Sequence, residues 1–89
     1  MYKISDYSKQ KARELKVFIK PSKSKNKKID VYKNGEVIAS IGALGYKDYP
    51  TYLKENGKEY ADQRKKLYKL RHKNDLNSGN GYWANKILW

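Results

Sequence analysis

The sequence predicts a small α+β domain, in which an antiparallel β-hairpin or three-stranded sheet is packed by one main helix in the C-terminal half and by a docked hydrophobic C-terminal tail. Three observations lead to this class. An Asn34-Gly35 pair separates two β-rich runs. Residues 58–73 carry apolar side chains at a helical period, and residues 82–89 are the most apolar segment of the chain.

The N-terminal part of the chain is expected to form an arm, a strand and a loop. With 89 residues the chain is long enough for a single domain, which we place at residues 15–89 after an arm at residues 1–14. The arm has no sustained apolar period and is expected to be extended or weakly helical. Residues 15–19 form a short apolar run ended by Pro21, which is typical of a strand. The basic run 22–28, which has no apolar side chain to bury, is expected to be a flexible loop.

The hairpin has the clearest local signal. In a two-residue type I′ turn both central residues need a positive φ, which Asn34 and Gly35 adopt readily. The resulting register places Lys33 opposite Glu36, Tyr32 opposite Val37 and Val31 opposite Ile38, so that an opposite-charge pair and two apolar pairs form. One predicted face of the hairpin carries Ile29, Val31 and Ile38, and the other carries Tyr32, Val37, Ala39 and Ile41.

Two helices are expected after the hairpin. Asp48 can cap the first, with Pro50 in its first turn, and Gly57 ends or bends it. The second, at residues 58–73, is expected to pack on the hairpin through one side, which consists of Tyr60, Ala61, Arg64, Leu67, Tyr68 and Leu70.

The tail at residues 82–89 ends the predicted domain. A disordered tail would not normally expose so many large apolar side chains, so the tail is expected to dock on the core or on a partner. The residues predicted to anchor it are Trp83, Ile87, Leu88 and Trp89.

The charge of the chain indicates an anionic partner. The formal net charge is +12, distributed as +8 in residues 1–35, −1 in 36–57 and +5 in 58–89. The alternative is that the charge serves solubility alone, and that the lysine run near residue 25 is a solvated linker. With 18 Lys to three Arg, the composition favours attraction to phosphates over base reading. The predicted polyanion-binding residues are Lys20, Lys23, Lys25, Lys27, Lys28, Lys58, Lys65, Lys66, Lys69 and Lys73.

The side chains available for catalysis are few. The chain has no Cys and one His, His72, whose neighbours in sequence are cationic. We therefore predict no catalytic residue, no metal site, no cofactor and no small-molecule substrate. The nine Tyr either stack on nucleobases or fill the small core, and the predicted core positions of several favour the second use. No apolar run approaches the roughly 20 residues of a membrane span.

Several short motifs occur together in one order. They are Asp30 to Gly35, Ile38 to Gly42, Gly45 to Tyr49, Arg71 to Lys73, Tyr82 to Ala84, and Ile87 to Trp89. Over about residues 27–89 this set resembles a family of short basic proteins of large double-stranded DNA viruses, including algal and amoebal giant viruses. Asn85 and Lys86 depart from the more basic and aromatic filling of the terminal motif in that family. The resemblance implies a viral setting and carries over no catalytic residue.

These observations lead to a non-enzymatic viral structural protein, either a minor capsid component or a protein packaged with the genome. Its expected partners are acidic capsid proteins or nucleic acid, with an anionic membrane surface as a further option. Its expected location is the virion, and the host cell interior during assembly. The alternative is a sequence-tolerant duplex DNA-binding module that acts in viral genome regulation or packaging. A small nuclease or other enzyme-related role is the least favoured.

Overall fold

The computed structural model describes residues 2–77 and 79–89 of the chain. Its elements in chain order are α1 (Asp6–Glu14), β1 (Phe18–Pro21), β2 (Lys27–Lys33), β3 (Glu36–Ala43), α2 (Tyr49–Asn56), α3 (Lys58–Arg71) and α4 (Gly79–Leu88). The strands form one antiparallel sheet in the order β1-β2-β3. The predicted α+β class with a three-stranded antiparallel sheet is therefore confirmed.

The turn between β2 and β3 has the predicted geometry. Asn34 has a φ of 55° and Gly35 a φ of 80°, both in the left-handed region. Lys33 pairs with Glu36 and Tyr32 pairs with Val37, as the two-residue turn requires. The predicted hairpin is confirmed at its turn end.

Replacing Gly35 by Val is expected to destabilise the domain by about 1–3 kcal/mol, because a β-branched residue would be forced to a positive φ. Chemical denaturation measures the effect. The matched control is Asn34→Gly, which keeps a residue that adopts positive φ and should leave the midpoint nearly unchanged. If Gly35→Val unfolded at the same denaturant concentration as the parent protein, the strain argument would be wrong.

A register shift between Val31 and Tyr32 changes the predicted faces of the hairpin. Beyond the shift Val31 pairs with Ala39 rather than with Ile38. The buried face of the sheet consequently combines Ile29, Val31, Ala39 and Ile41, whereas Ile38 is 40% exposed. The predicted Val31–Ile38 pair and both predicted faces are wrong, because one extra residue in β3 reverses the alternation that follows it.

The predicted arm contains a helix. Ser5 caps α1 by accepting a hydrogen bond from the Ser8 backbone N–H, and Ser8 and Ala12 are buried. The Ser8 hydroxyl donates to the carbonyl of Ile87 at 2.9 Å, which joins α1 to α4. Residues 15–17 turn the chain out of α1, with Lys16 at a φ of 59°, so the strand predicted at 15–19 begins at residue 18 instead.

The predicted short helix is confirmed as α2. The Asp48 side chain accepts a hydrogen bond from the Thr51 backbone N–H at 3.1 Å, and Pro50 occupies the first turn. Gly57, with a φ of 88°, separates α2 from α3. The longer predicted helix ends at Arg71, two residues earlier than expected.

The hydrophobic tail forms the helix α4, which packs against β3 and α1. Ile87, Leu88 and Trp89 are buried in the core, and Trp83 is half-buried against it.

α3 packs mainly against α2, and its Leu70 is 60% exposed. The expectation that α3 covers the sheet is therefore wrong. The tail takes that position: Ile87 and Leu88 of α4 are buried, whereas Ala61 is the buried residue of α3. Among the described residues, no helix is long and apolar enough to cross a membrane.

Candidate functional site

Four lysines from two helices form a surface that we call the basic helical face: Lys65, Lys66 and Lys69 of α3, and Lys11 of α1. Lys66 and Lys69 are exposed, and Lys65 and Lys11 are partly buried. Burial lowers the pKa of Lys65, and the positive charges of Lys69 and Lys11 lower it further. Lys11 therefore lies close enough to α3 to add its charge to the same surface. The α3 lysines also line a shallow depression of about 380 Å³.

Aromatic rings hold two lysines of the basic helical face. The Lys65 ammonium lies 5.0 Å from the centroid of the Tyr49 ring, and the Lys11 ammonium lies 5.4 Å from that of Tyr7. The two rings are themselves 5.2 Å apart. Each lysine gains a cation–π contact, and the paired rings bring α1 and α2 together beside α3. The position of Lys11 depends on this packing, so sequence reasoning that treated residues 1–14 as an arm missed it.

Asp62 lines the depression together with the α3 lysines, and its charge is already paired. It accepts hydrogen bonds from the Lys58 ammonium at 2.8 Å and from the Tyr49 hydroxyl at 2.7 Å. These two bonds, the first from Lys58, lower the pKa of the Asp62 carboxyl. Among the α3 lysines predicted to bind a polyanion, Lys58 is therefore the one whose charge is paired with a carboxylate. Lys73, also predicted, is exposed beyond the end of α3.

The loop between β1 and β2 is anchored rather than a free linker. The buried Asp30 carboxylate accepts hydrogen bonds from the hydroxyls of Ser22 at 2.5 Å and Ser40 at 2.7 Å, and from the Lys23 backbone N–H at 3.2 Å. Burial alone would raise the pKa of Asp30, but these hydrogen bonds outweigh it and lower the pKa. The predicted binding residues Lys20, Lys23 and Lys25 are exposed around this anchor, and Lys27 is half-buried.

Lys28 does not belong to the predicted lysine surface, because its side chain points into the protein. It is 5% exposed, and its ammonium lies 3.0 Å from the Asp48 carboxylate and donates to the carbonyl of Tyr46. The Tyr2 hydroxyl donates to the same carboxylate at 2.7 Å. Burial, the hydrogen bond to Asp48 and the Asp48 charge raise the pKa of Tyr2. Sequence reasoning counted Lys28 with its exposed neighbours because its partner lies 20 residues away.

The predicted anchors dock on the chain's own core. The Tyr7 hydroxyl donates to the backbone carbonyl of Trp89 at 3.0 Å. The Trp89 ring stacks on Tyr68 of α3, with centroids 4.4 Å apart and planes within 11°. Trp89 therefore links α4 to both α1 and α3, in addition to its burial.

A second cavity, which we call the arginine cleft, lies where α2, α3 and the end of α4 meet and has a volume of about 450 Å³. Arg64 and Arg71 line it together with Tyr52 and Trp89, and His72 lies at its edge beside Tyr68. Sequence reasoning assigned Arg64 to the packed side of α3, placed Arg71 in one of the short motifs, and did not bring the two together. The spacing of seven residues, which places both on one side of a helix, was the available signal.

No family model, no curated protein and no solved structure matched the chain. Within residues 2–77 and 79–89, no three His, Asp or Glu side chains are grouped so that they could hold a metal ion.

Proposed function

We propose that this protein is a non-enzymatic basic structural protein of a virion, packaged with the genome, that binds nucleic-acid phosphates through the basic helical face without sequence preference. The observation that carries the proposal is that Lys65, Lys66 and Lys69 line one depression and that paired rings bring Lys11 beside Lys65, where the neighbouring Asp62 is already paired. The viral setting rests on the resemblance of residues 27–89.

The chemistry of the basic helical face favours phosphate over other partners. Lysine is a compact point charge, so it attracts a phosphate without requiring the planar geometry that an arginine fork imposes. Lys65 and Lys11 are held on rings, so they lose less side-chain freedom when an anion binds. An anion at this surface would also relieve the mutual repulsion that contributes to the lowered pKa of Lys65.

The anchored loop extends the proposed attraction. Its exposed Lys23 and Lys25, together with Lys20 of β1, are held around Asp30 rather than on a free linker. Neither this loop nor the basic helical face carries an arginine, so neither offers the bidentate contact with which proteins read guanine. The proposed binding is consequently to the backbone and tolerant of sequence.

Replacing Lys65, Lys66 and Lys69 by Gln is expected to weaken binding to random-sequence duplex DNA. Each lysine that contacts a phosphate contributes about 0.9 to the magnitude of the slope of log K against log salt concentration. Fluorescence anisotropy over a salt series measures that slope. The matched control is the triple variant of Lys33, Lys54 and Lys86, all exposed, which loses the same charge elsewhere on the surface.

Equal slopes for the two triple variants would remove the basic helical face as the binding surface. Binding that did not respond to salt would reject the polyanion proposal altogether. The protein could instead bind an acidic protein or anionic vesicles more tightly than DNA, in a salt-sensitive way that is lost in the same triple variant. That result would identify the acidic protein or the membrane surface, rather than nucleic acid, as the partner.

A further inference from the structure

The arginine cleft is separate from the basic helical face and has the dimensions of a small-molecule site. Its volume of about 450 Å³ lies within the range of roughly 300–1,000 Å³ that is typical of ligand pockets. Arg64 and Arg71 line it from positions about two turns apart on α3, whereas Lys65, Lys66 and Lys69 line the other depression. The proposed nucleic-acid binding does not use this cleft.

Arg64 lines the cleft and has one buried hydrogen-bond donor without a partner. Its Nε atom is buried and has no hydrogen-bond partner among the described residues. Its guanidinium carbon lies 5.3 Å from the centroid of the Tyr52 ring, so the planar group is supported on one side. Native structures seldom leave a buried donor unpaired, because such a donor is costly. An acceptor in the cleft would satisfy this donor if the guanidinium group turned towards it.

The charge of the cleft favours an anion as that acceptor. Asp48 is the acidic residue among its lining, and it is already occupied by Lys28, Tyr2 and Thr51. Within the described part of the chain, neither Arg64 nor Arg71 forms an ion pair with a carboxylate. Two guanidinium groups on the same side of a helix suit the several oxygens of a phosphate.

The remaining lining favours a planar body on the ligand. Tyr46, Tyr52, Tyr68 and Trp89 contribute aromatic rings, and the Tyr46 ring is 75% exposed at the cleft. The His72 ring packs on Tyr68 with centroids 4.5 Å apart and is partly exposed. Tyr68 already packs on Trp89 and His72, and Tyr52 already carries Arg64, so the exposed ring on which a nucleobase can stack is that of Tyr46. We propose that the arginine cleft binds a nucleoside monophosphate, with its phosphate at Arg64 and Arg71 and its base against the exposed ring of Tyr46.

Titration of the full chain with AMP, adenosine and inorganic phosphate tests this proposal. Calorimetry gives the three affinities, and the indole N–H signals in NMR spectra report the location, because Trp89 lines the cleft and Trp83 does not. AMP is expected to bind more tightly than either of its parts and to shift the Trp89 signal. Absence of AMP binding, equal binding of adenosine, or equal binding of phosphate would each overturn the proposal.

Arg64→Met is the decisive variant, because it keeps an unbranched stem on Tyr52 and removes the guanidinium group. AMP binding is expected to weaken about 10-fold or more, as for loss of a charged hydrogen bond. Arg13→Met, an exposed arginine of α1, removes the same charge outside the cleft and should leave AMP binding unchanged. If Arg64→Met does not fold, Arg64→Lys is the second variant. It keeps the positive charge but loses the planar guanidinium group, and it should still bind AMP more weakly than the parent protein. Equal AMP affinity in the parent protein and the folded Arg64 variant would reject the site.

A free nucleotide and the terminal nucleotide of a strand offer the same chemistry. A 5′-phosphorylated tetranucleotide and its unphosphorylated form distinguish them when both are added to the Lys65, Lys66 and Lys69 triple variant. A preference for the phosphorylated strand that is lost with Arg64→Met assigns the cleft to strand ends. No such preference, together with AMP binding, assigns it to free nucleotides. Arg64→Met should leave the salt slope of duplex binding intact, so this proposal and the proposed function fail independently.

Discussion

Asp48→Asn is expected to destabilise the domain by about 3–5 kcal/mol, because the variant leaves the Lys28 ammonium buried without a counter-charge. Asp48 is 1% exposed, and its carboxylate lies 3.0 Å from that ammonium. It also caps α2 and accepts hydrogen bonds from Tyr2 and Thr51. Asparagine can keep the cap, but it cannot balance the charge. Chemical denaturation at neutral pH measures the difference.

Asp30→Asn is the matched control for this prediction. Asp30 is buried to a similar degree, but its partners are the hydroxyls of Ser22 and Ser40 and a backbone N–H, so the amide leaves no charge unpaired. Asp30→Asn should therefore destabilise the domain less than Asp48→Asn. The double variant Lys28→Met with Asp48→Asn should recover stability relative to Asp48→Asn alone, because both charges are gone. Equal losses in the two single variants would contradict the argument.

The same ion pair makes stability depend on pH. Burial alone would raise the pKa of Asp48, but hydrogen bonds from Tyr2 and Thr51 and the charge of Lys28 outweigh it and lower the pKa below 3.8. A carboxyl with a lowered folded-state pKa contributes stability that is complete above its ordinary pKa. That contribution is lost as the pH falls below 3.8 towards the lowered value. The parent protein should therefore lose more stability than Asp48→Asn between about pH 5 and about pH 3.

Leu88→Ala is expected to destabilise the domain by about 2–5 kcal/mol, and deletion of residues 82–89 is expected to unfold it. Leu88 is 1% exposed and lies where α4 covers β3: a Cβ added at Gly42 would be 2.8 Å from its Cδ1 atom. The deletion also removes Ile87 and Trp89, which are buried in the same core. Circular dichroism during thermal unfolding measures both variants.

Leu70→Ala is the control, because Leu70 is the same residue type but lies exposed on α3. It should change the free energy of unfolding by no more than about 0.5 kcal/mol. A cooperative thermal transition in the chain without residues 82–89 would show that the core does not need α4.

In the intact protein, tryptophan emission should be blue-shifted in the free monomer, because Trp89 is buried and Trp83 is half-buried.

The features that could be predicted from the sequence depend on local conformation or on strong apolar character. An Asn-Gly pair readily adopts the positive φ angles of a two-residue hairpin loop. The predicted turn at Asn34-Gly35 and the first two predicted cross-strand pairs were therefore correct. Asp48 caps α2 through a contact three residues away. The tail had to be buried somewhere, because exposing Ile87, Leu88 and Trp89 together is unfavourable.

The features that only the tertiary structure decided depend on contacts between distant parts of the chain. Sequence alone determined a basic α+β domain with a type I′ hairpin and a buried tail. Folding decided that Lys28 is buried, that Lys11 joins the α3 lysines, and that Arg64 and Arg71 line a cleft closed by α4. The physical reason is that the environment of a charged side chain depends on its partner. For Lys28 that partner is 20 residues away, and for Arg64 the cleft wall includes Trp89, so no local pattern reveals either.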